Sequence, residues 1–142
     1  MNHPCIRLYG VAALLLAPLA QAQTKIMLDQ PIDWQVCQRT PQEWADIKVT
    51  GSASADAALV EAKADLSSAM RGKASDWTII AQGPQIKDGK FAGSIKLPTG
   101  GWYALQVRIR KSAADPAVLA EGSVAHVGVG DIFVVAGQSN SS

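Results

Sequence analysis

The chain has 142 residues, of which 48% are hydrophobic and 18% are charged. This length is sufficient for one domain with a real hydrophobic core, but not for two domains of ordinary size. The formal net charge is +1, so the composition provides no strongly basic surface, and we expect neither nucleic acid nor an anionic membrane surface as a partner.

The first 22 residues are organised like a secretory signal peptide. Arg7 lies in a short polar start, residues 11–19 form an apolar run, and residues 20–22 (Ala-Gln-Ala) have the small-x-small pattern that precedes cleavage. The apolar run is shorter than the roughly 20 residues that span a bilayer. A buried core helix is the alternative, but position, flanks and cleavage site all favour a signal peptide. We expect residues 1–22 to be removed, no membrane span, and export to the periplasm or the extracellular space.

Two cysteines are present, and Cys5 would leave with the signal peptide. Cys37 then has no partner for a disulfide within the chain. It lies in an alternating segment, so we interpret it as a small buried hydrophobic residue, with a reactive thiol as the alternative. One cysteine and one histidine, His126, make no ligand set in the mature chain, and we expect no metal and no cofactor.

Alternation of apolar with polar or small residues dominates the mature chain and predicts β-strands. The clearest run places Tyr103, Leu105, Val107 and Ile109 on one side. The other alternating runs lie at residues 34–38, 46–50, 77–81 and 90–97. Because turn signals recur at short intervals, the pattern predicts an all-β sandwich domain over residues 23–127.

Two further segments, residues 98–101 and 53–70, connect or overlap the alternating runs. Residues 98–101 (Pro-Thr-Gly-Gly) are a turn signal. They predict a hairpin between the run at residues 90–97 and the run that contains Tyr103 to Ile109. Residues 53–70 fit a helix, because alanine favours one, but part of the segment also alternates. We interpret residues 59–64 as a strand and residues 67–75 as a loop.

The chain has four tryptophans, which are Trp34, Trp44, Trp77 and Trp102. Three of them lie in or beside alternating runs, so core packing is the favoured use of their bulk. A carbohydrate-binding face is the alternative, and a row of solvent-facing rings on one sheet would support it.

The pattern changes after Val124. Residues 132–136 (Ile-Phe-Val-Val-Ala) form a continuous apolar run, which is typical of a strand buried on both faces in a parallel sheet. We therefore expect residues 128–142 to begin a second domain. The run leads into Gly-Gln-Ser-Asn at residues 137–140, and a serine just past the carboxyl end of such a strand is where active sites form in open α/β sheets.

Residues 127–140 (Val-Gly-Val-Gly-Asp-Ile-Phe-Val-Val-Ala-Gly-Gln-Ser-Asn) resemble the first conserved block of the SGNH-type hydrolases. The Gly-Gln-Ser-Asn form of this block is found in sialate O-acetylesterases and related carbohydrate acetylesterases. In such proteins a β-sandwich often precedes the hydrolase domain, and residues 101–103 (Gly-Trp-Tyr) resemble a piece of it. The resemblance implies a sandwich followed by the first strand of a truncated α/β hydrolase domain.

The same resemblance implies roles for individual residues. Ser139 would be the nucleophile, and its backbone N–H would donate to the oxyanion. Gly137, Gln138 and Asn140 would shape the turn. The family's substrate class is acetylated carbohydrate, and its catalytic Asp and His come from later blocks that have no counterpart in this sequence.

His126 is a poor replacement for the missing base. A base must lie within about 2.6–3.2 Å of the hydroxyl, whereas residues 131–136 alone span more than about 15 Å as a strand. We interpret His126 as a strand or boundary residue. Asp33, Asp46 and Asp131 are scattered and form no carboxylate pair. The expected function is that of an N-terminal fragment of a secreted serine esterase, inactive alone, and the alternative is a secreted sandwich that binds carbohydrate or is structural.

Overall fold

The structure, a computed structural model, describes residues 24–53, 57–67, 71–135 and 137. The predicted signal peptide lies outside the described residues, as do Gln138, Ser139 and Asn140. The described part is all-β apart from one 3-10 turn, Gly83–Gln85. Its strands are β1 (Thr24–Gln30), β2 (Gln35–Gln38), β3 (Trp44–Ala53), β4 (Leu59–Leu66), β5 (Thr78–Gln82), β6 (Ile86–Lys87), β7 (Lys90–Pro98), β8 (Gly101–Arg110) and β9 (Val118–Gly130).

The strands form two sheets that share β1. Sheet I has the order β5-β4-β8-β9, with β2 and the start of β1 paired in parallel to β9. Sheet II has the order β1-β3-β7-β6 and is antiparallel throughout. Thr24 and Lys25 pair with β9, whereas the rest of β1 pairs with β3. The first strand therefore ties the two sheets together at one edge.

The core lies between the inner faces of the two sheets, and alternation decides which side chains enter it. On β8, Tyr103, Leu105, Val107 and Ile109 are all buried while the residues between them are half-buried. The inner residues of sheet II belong to the same cluster and include Ile47, Val49, Phe91, Ile95 and Leu97. The predicted all-β sandwich and the register of its clearest strand are confirmed, because the period of two matches the burial pattern.

Within residues 53–70, whose pattern fits either a helix or a strand, the structure has a strand over residues 59–66. β4 runs from Leu59 to Leu66, slightly longer than predicted. Its inner side chains include Val60, Ala62 and Ala64, which are fully buried opposite the inner residues of β8. The buried alanines of β4 fill inner positions of the sheet. Tertiary packing therefore overrides the preference of alanine for helix.

The predicted hairpin at residues 98–101 is wrong. β7 pairs with β3 and β6, and β8 pairs with β4 and β9, so the turn carries the chain from sheet II to sheet I. Its backbone groups bond to other segments: the Thr99 N–H donates to the Glu43 carbonyl at 2.9 Å, and the Gly100 carbonyl accepts from Arg71 N–H at 2.8 Å. Gly100 has φ of 111°, which glycine adopts without strain.

The favoured core packing of the tryptophans is also wrong. Inner positions are occupied by the neighbours Ala45 and Tyr103, so Trp44 and Trp102, each one residue earlier, point to the outer faces. Trp77 is half-buried just before β5. Trp34 is 61% exposed and has a left-handed backbone with φ of 65°.

Glu61 is the buried charged side chain among the described residues, at 7% exposure. Arg108 Nε donates to its Oε2 at 2.7 Å, and Arg110 Nη1 lies 3.3 Å from both carboxylate oxygens. Burial by itself raises the pKa of the Glu61 carboxyl, but the hydrogen bonds and charges of the two arginines outweigh it and lower the pKa. The carboxylate therefore holds β4 to β8 on the outer face of sheet I.

We predict that Glu61→Gln lowers the free energy of unfolding at neutral pH by about 1–3 kcal/mol, because charge-assisted bonds to both arginines are lost. A lowered folded-state pKa stabilises the fold above the unfolded pKa of about 4.3, and this contribution disappears as pH falls below that value. The difference between wild type and variant should therefore shrink in acid. Urea unfolding at neutral and acidic pH measures it, with the exposed Asp46→Asn as control. A difference between wild type and variant that is constant with pH would contradict the lowered pKa of the Glu61 carboxyl.

Candidate functional site

The candidate site begins where β9 ends, because the chain leaves the sandwich there toward Ser139. β9 continues through residues 128–130, which pair in parallel with β2, and its residues 128 and 129 also pair antiparallel with the start of β8. Gly137 is exposed and lies outside any strand. Gln138, Ser139 and Asn140 lie outside the described residues, so their roles in the turn and in catalysis stay predictions.

Asp131, the first residue after β9, is held by the side chains of Gln38, the last residue of β2, and of Arg39, the next residue. Arg39 Nε lies 2.9 Å and 3.0 Å from the two carboxylate oxygens, and Gln38 Nε2 donates to Oδ1 at 3.1 Å. Gln38 Oε1 also accepts the Ile132 N–H at 2.6 Å. These bonds orient both the side chain of Asp131 and the backbone of the next residue. We call Gln38, Arg39 and Asp131 the exit clamp.

The apolar run after the exit clamp is open to solvent. Ile132, Phe133, Val134 and Val135 are 52%, 82%, 90% and 93% exposed and belong to no strand. Four consecutive large apolar residues at such exposure form an apolar patch. Such a patch is typical of a surface that packs against another domain or a partner, and it favours aggregation when left exposed. The prediction that this run is a strand buried on both faces concerns a further domain and stays a prediction.

His126 lies in β9, in agreement with its interpretation as a strand residue. Its backbone N–H donates to Asp33 Oδ1 at 2.8 Å, and its Nδ1 lies 3.2 Å from the same oxygen. The Trp34 ring stacks on the imidazole with centroids 3.8 Å apart and an interplanar angle of 9°. Trp102 meets Trp34 edge to face at 5.3 Å. Sequence reasoning missed this aromatic group, because no local pattern connects positions so far apart in the chain.

Cys37 is half-buried and packs against the core, which agrees with its interpretation as a small hydrophobic residue. Burial raises the pKa of its thiol, more than the hydrogen bond from Gln35 lowers it. The thiolate that reacts as a nucleophile is therefore disfavoured at neutral pH.

No cluster of three or more His, Cys, Asp or Glu suited to a metal ion is found within the described ranges. In the same part of the chain no helix has the length and apolar character needed to cross a membrane. A comparison with protein-family models found no matching family, and a search of curated proteins found no match.

We predict that Asp131→Ala loosens the start of the exposed run while leaving the sandwich nearly as stable. The Arg39–Asp131 pair is partly exposed, at 33% and 38% of the two side chains, so it contributes no more than about 1 kcal/mol. Without Asp131, Gln38 loses its fixed orientation, and the Ile132 amide should exchange its hydrogen at least about tenfold faster. Nuclear magnetic resonance measures this rate.

Glu43→Ala is the matched control, since Glu43 is the other carboxylate near Arg39, at 3.9 Å, and it is 75% exposed. It should leave the Ile132 amide unchanged. Equal acceleration in both variants, or none in Asp131→Ala, would show that the exit clamp does not order this segment.

Proposed function

We propose that the chain is part of an exported serine esterase that removes acetyl groups from sugar hydroxyls, with Ser139 as the nucleophile. The observation that carries the proposal is the order of residues: Gly-Gln-Ser-Asn at 137–140 directly follows a continuous apolar run, which itself follows the last strand of the sandwich. The exposure of that run supports the proposal, because a hydrolase domain would cover it.

The reaction proposed is acyl transfer in two steps. The Ser139 hydroxyl oxygen attacks the acetyl carbonyl carbon and gives its proton to a histidine base. The Ser139 N–H donates to the resulting oxyanion, and collapse of the tetrahedral intermediate breaks the ester bond and releases the protonated sugar oxygen. Water then hydrolyses the acetyl-serine to acetate. The base and its carboxylate partner are those that the family takes from later blocks.

The exit clamp gives the sandwich a part in this proposal. It fixes the direction in which the backbone departs from β9, through the bonds from Gln38 and Arg39 to Asp131 and from Ile132 to Gln38. A strand that starts from a fixed point delivers its far end, and hence the nucleophile, with less conformational freedom. The proposal also includes export, with the mature protein beginning at Gln23 in the periplasm or outside the cell.

A second candidate is a secreted sandwich that binds carbohydrate or acts as a structural module. The outward position of the tryptophans favours the carbohydrate-binding form. None of the four is in the buried cluster, and Trp34, the most exposed, is held flat against His126. Rigid exposed aromatic rings provide binding surface at small entropic cost.

We predict that Ser139→Ala, in the protein carrying the complete hydrolase domain, lowers acetate release by a factor on the order of 10³ or more, because catalytic groups of this kind act as a unit. Stability should change by less than about 0.5 kcal/mol, as for other changes away from a core. Acetate release from acetylated sugars and the thermal midpoint measure the two effects. Near wild-type activity in Ser139→Ala would contradict the proposal.

Residues 23–142 alone are the matched control. They should release no more acetate than their own Ser139→Ala variant, because no residue among them matches the family's catalytic Asp and His. Activity that required both Ser139 and His126 would assign the role of base to His126, which the Asp33 carboxylate already orients.

A further inference from the structure

The outer face of sheet I contains a groove of about 330 Å³ at the junction of β8 and β9. Trp77 contributes an aromatic wall, and the neighbouring strands contribute the floor and rim. The lining residues are Trp77, Gln106, Val107, Glu121, Gly122 and Ser123. This volume lies at the lower end of the roughly 300–1,000 Å³ of small-molecule sites, which suits a ligand of one ring.

The ring of Trp77 is held in place before any ligand arrives. The Arg108 guanidinium carbon lies 4.0 Å from the ring centroid, and Lys63 Nζ lies 5.9 Å from it. Arg108 is itself fixed by its 2.7 Å bond to Glu61. A ring fixed by cation–π contacts loses little further freedom when a ligand packs on it.

The polar side chains of the groove present mainly acceptors. Gln106 and Ser123 lie opposite each other in the β8–β9 register. Gln106 Nε2 donates to Asp65 Oδ2 at 2.8 Å, which fixes the amide and leaves its carbonyl oxygen to accept. Glu121 adds a carboxylate, and the Ser123 hydroxyl both donates and accepts. Several acceptors beside an aromatic wall match a ligand that has many hydroxyl donors and an apolar face.

The charges near the groove favour a neutral ligand. Of the described lining residues, Glu121 alone is charged, and it repels anions. The nearby cations are engaged: Arg108 and Arg110 share Glu61, and Lys63 Nζ is 3.1 Å from Asp65. A carboxylated sugar would therefore meet the Glu121 carboxylate, while these three described cations are already paired with carboxylates.

We propose that this groove binds one ring of a neutral pyranose saccharide, with the C–H face of the ring on Trp77 and its hydroxyls on Gln106, Glu121 and Ser123. The inference deepens the carbohydrate-binding candidate and does not depend on Ser139. For the esterase proposed above, the groove also narrows the substrate class to acetylated neutral glycans. This second statement rests on the proposed function of Ser139.

The test is a binding titration with the full chain carrying Ser139→Ala, which removes the nucleophile and makes binding independent of the esterase proposal. The probes are the methyl glycosides of glucose, galactose, mannose and xylose, with N-acetylneuraminic acid as the anionic sugar. We expect at least one neutral glycoside to shift the indole N–H resonance of Trp77 with a Kd on the order of 10⁻³ M. The anionic sugar should leave this resonance unchanged.

Two variants and a matched control locate the site. Trp77→Ala, in which the backbone amides of Gly122 and Ser123 report binding, should weaken it by about tenfold or more. Ser123→Leu should block binding by filling the groove while Trp77 stays in place. Ser94→Leu, which places the same bulk at an exposed position on the outer face of sheet II, should bind as wild type does.

Three results would overturn the inference. They are no shift of Trp77 with any neutral glycoside at tens of millimolar, wild-type binding in Ser123→Leu, and tighter binding of N-acetylneuraminic acid than of every neutral glycoside. None of these results bears on whether Ser139 is a nucleophile, so the two proposals can fail separately.

Discussion

The pairing of β9 is the constraint on which the rest of the structure depends. This strand, Val118–Gly130, is bonded to β8 along one edge and to β1 and then β2 along the other. Because β1 continues into sheet II, the position of β9 also sets how the two sheets meet over the core. A strand with partners on both edges is fixed along its length, so its last residue, Gly130, is a defined point from which the chain departs.

The exit clamp extends this order beyond the strand. Gln38 is the last residue of the β2–β9 pairing and Arg39 follows it, and together they hold Asp131 and the Ile132 amide. On the outer face of the same sheet, the Glu61–Arg108 pair supports Trp77 in a similar way. In both places an ion pair between two side chains fixes the position of a neighbouring group at the surface of the sandwich. The sandwich thus holds two groups near its surface in defined positions.

Most strands could be predicted from the sequence because alternation reports which side of a strand faces the core. The pairing of the strands could not, since a turn such as residues 98–101 serves a hairpin or a crossing between sheets equally well. Trp102 points outward because it lies one residue before the buried Tyr103 in the same strand. The large side chain of Trp102 nevertheless led to the prediction that it packs in the core. The exit clamp joins residues separated by 92 positions, and the side-chain contacts at Trp34 and Trp77 are equally nonlocal. No local pattern encodes such contacts.

The most direct test of the central claim is the labelling of Ser139 by a fluorophosphonate, a reagent that reacts with serines activated by a neighbouring base. The protein carrying the complete hydrolase domain would be treated, digested and analysed by mass spectrometry. We expect a phosphonyl adduct on Ser139 together with loss of acetate release. Release of acetate from acetylated sugars while Ser139 stays unmodified, or an adduct on a different serine that abolishes activity, would contradict it.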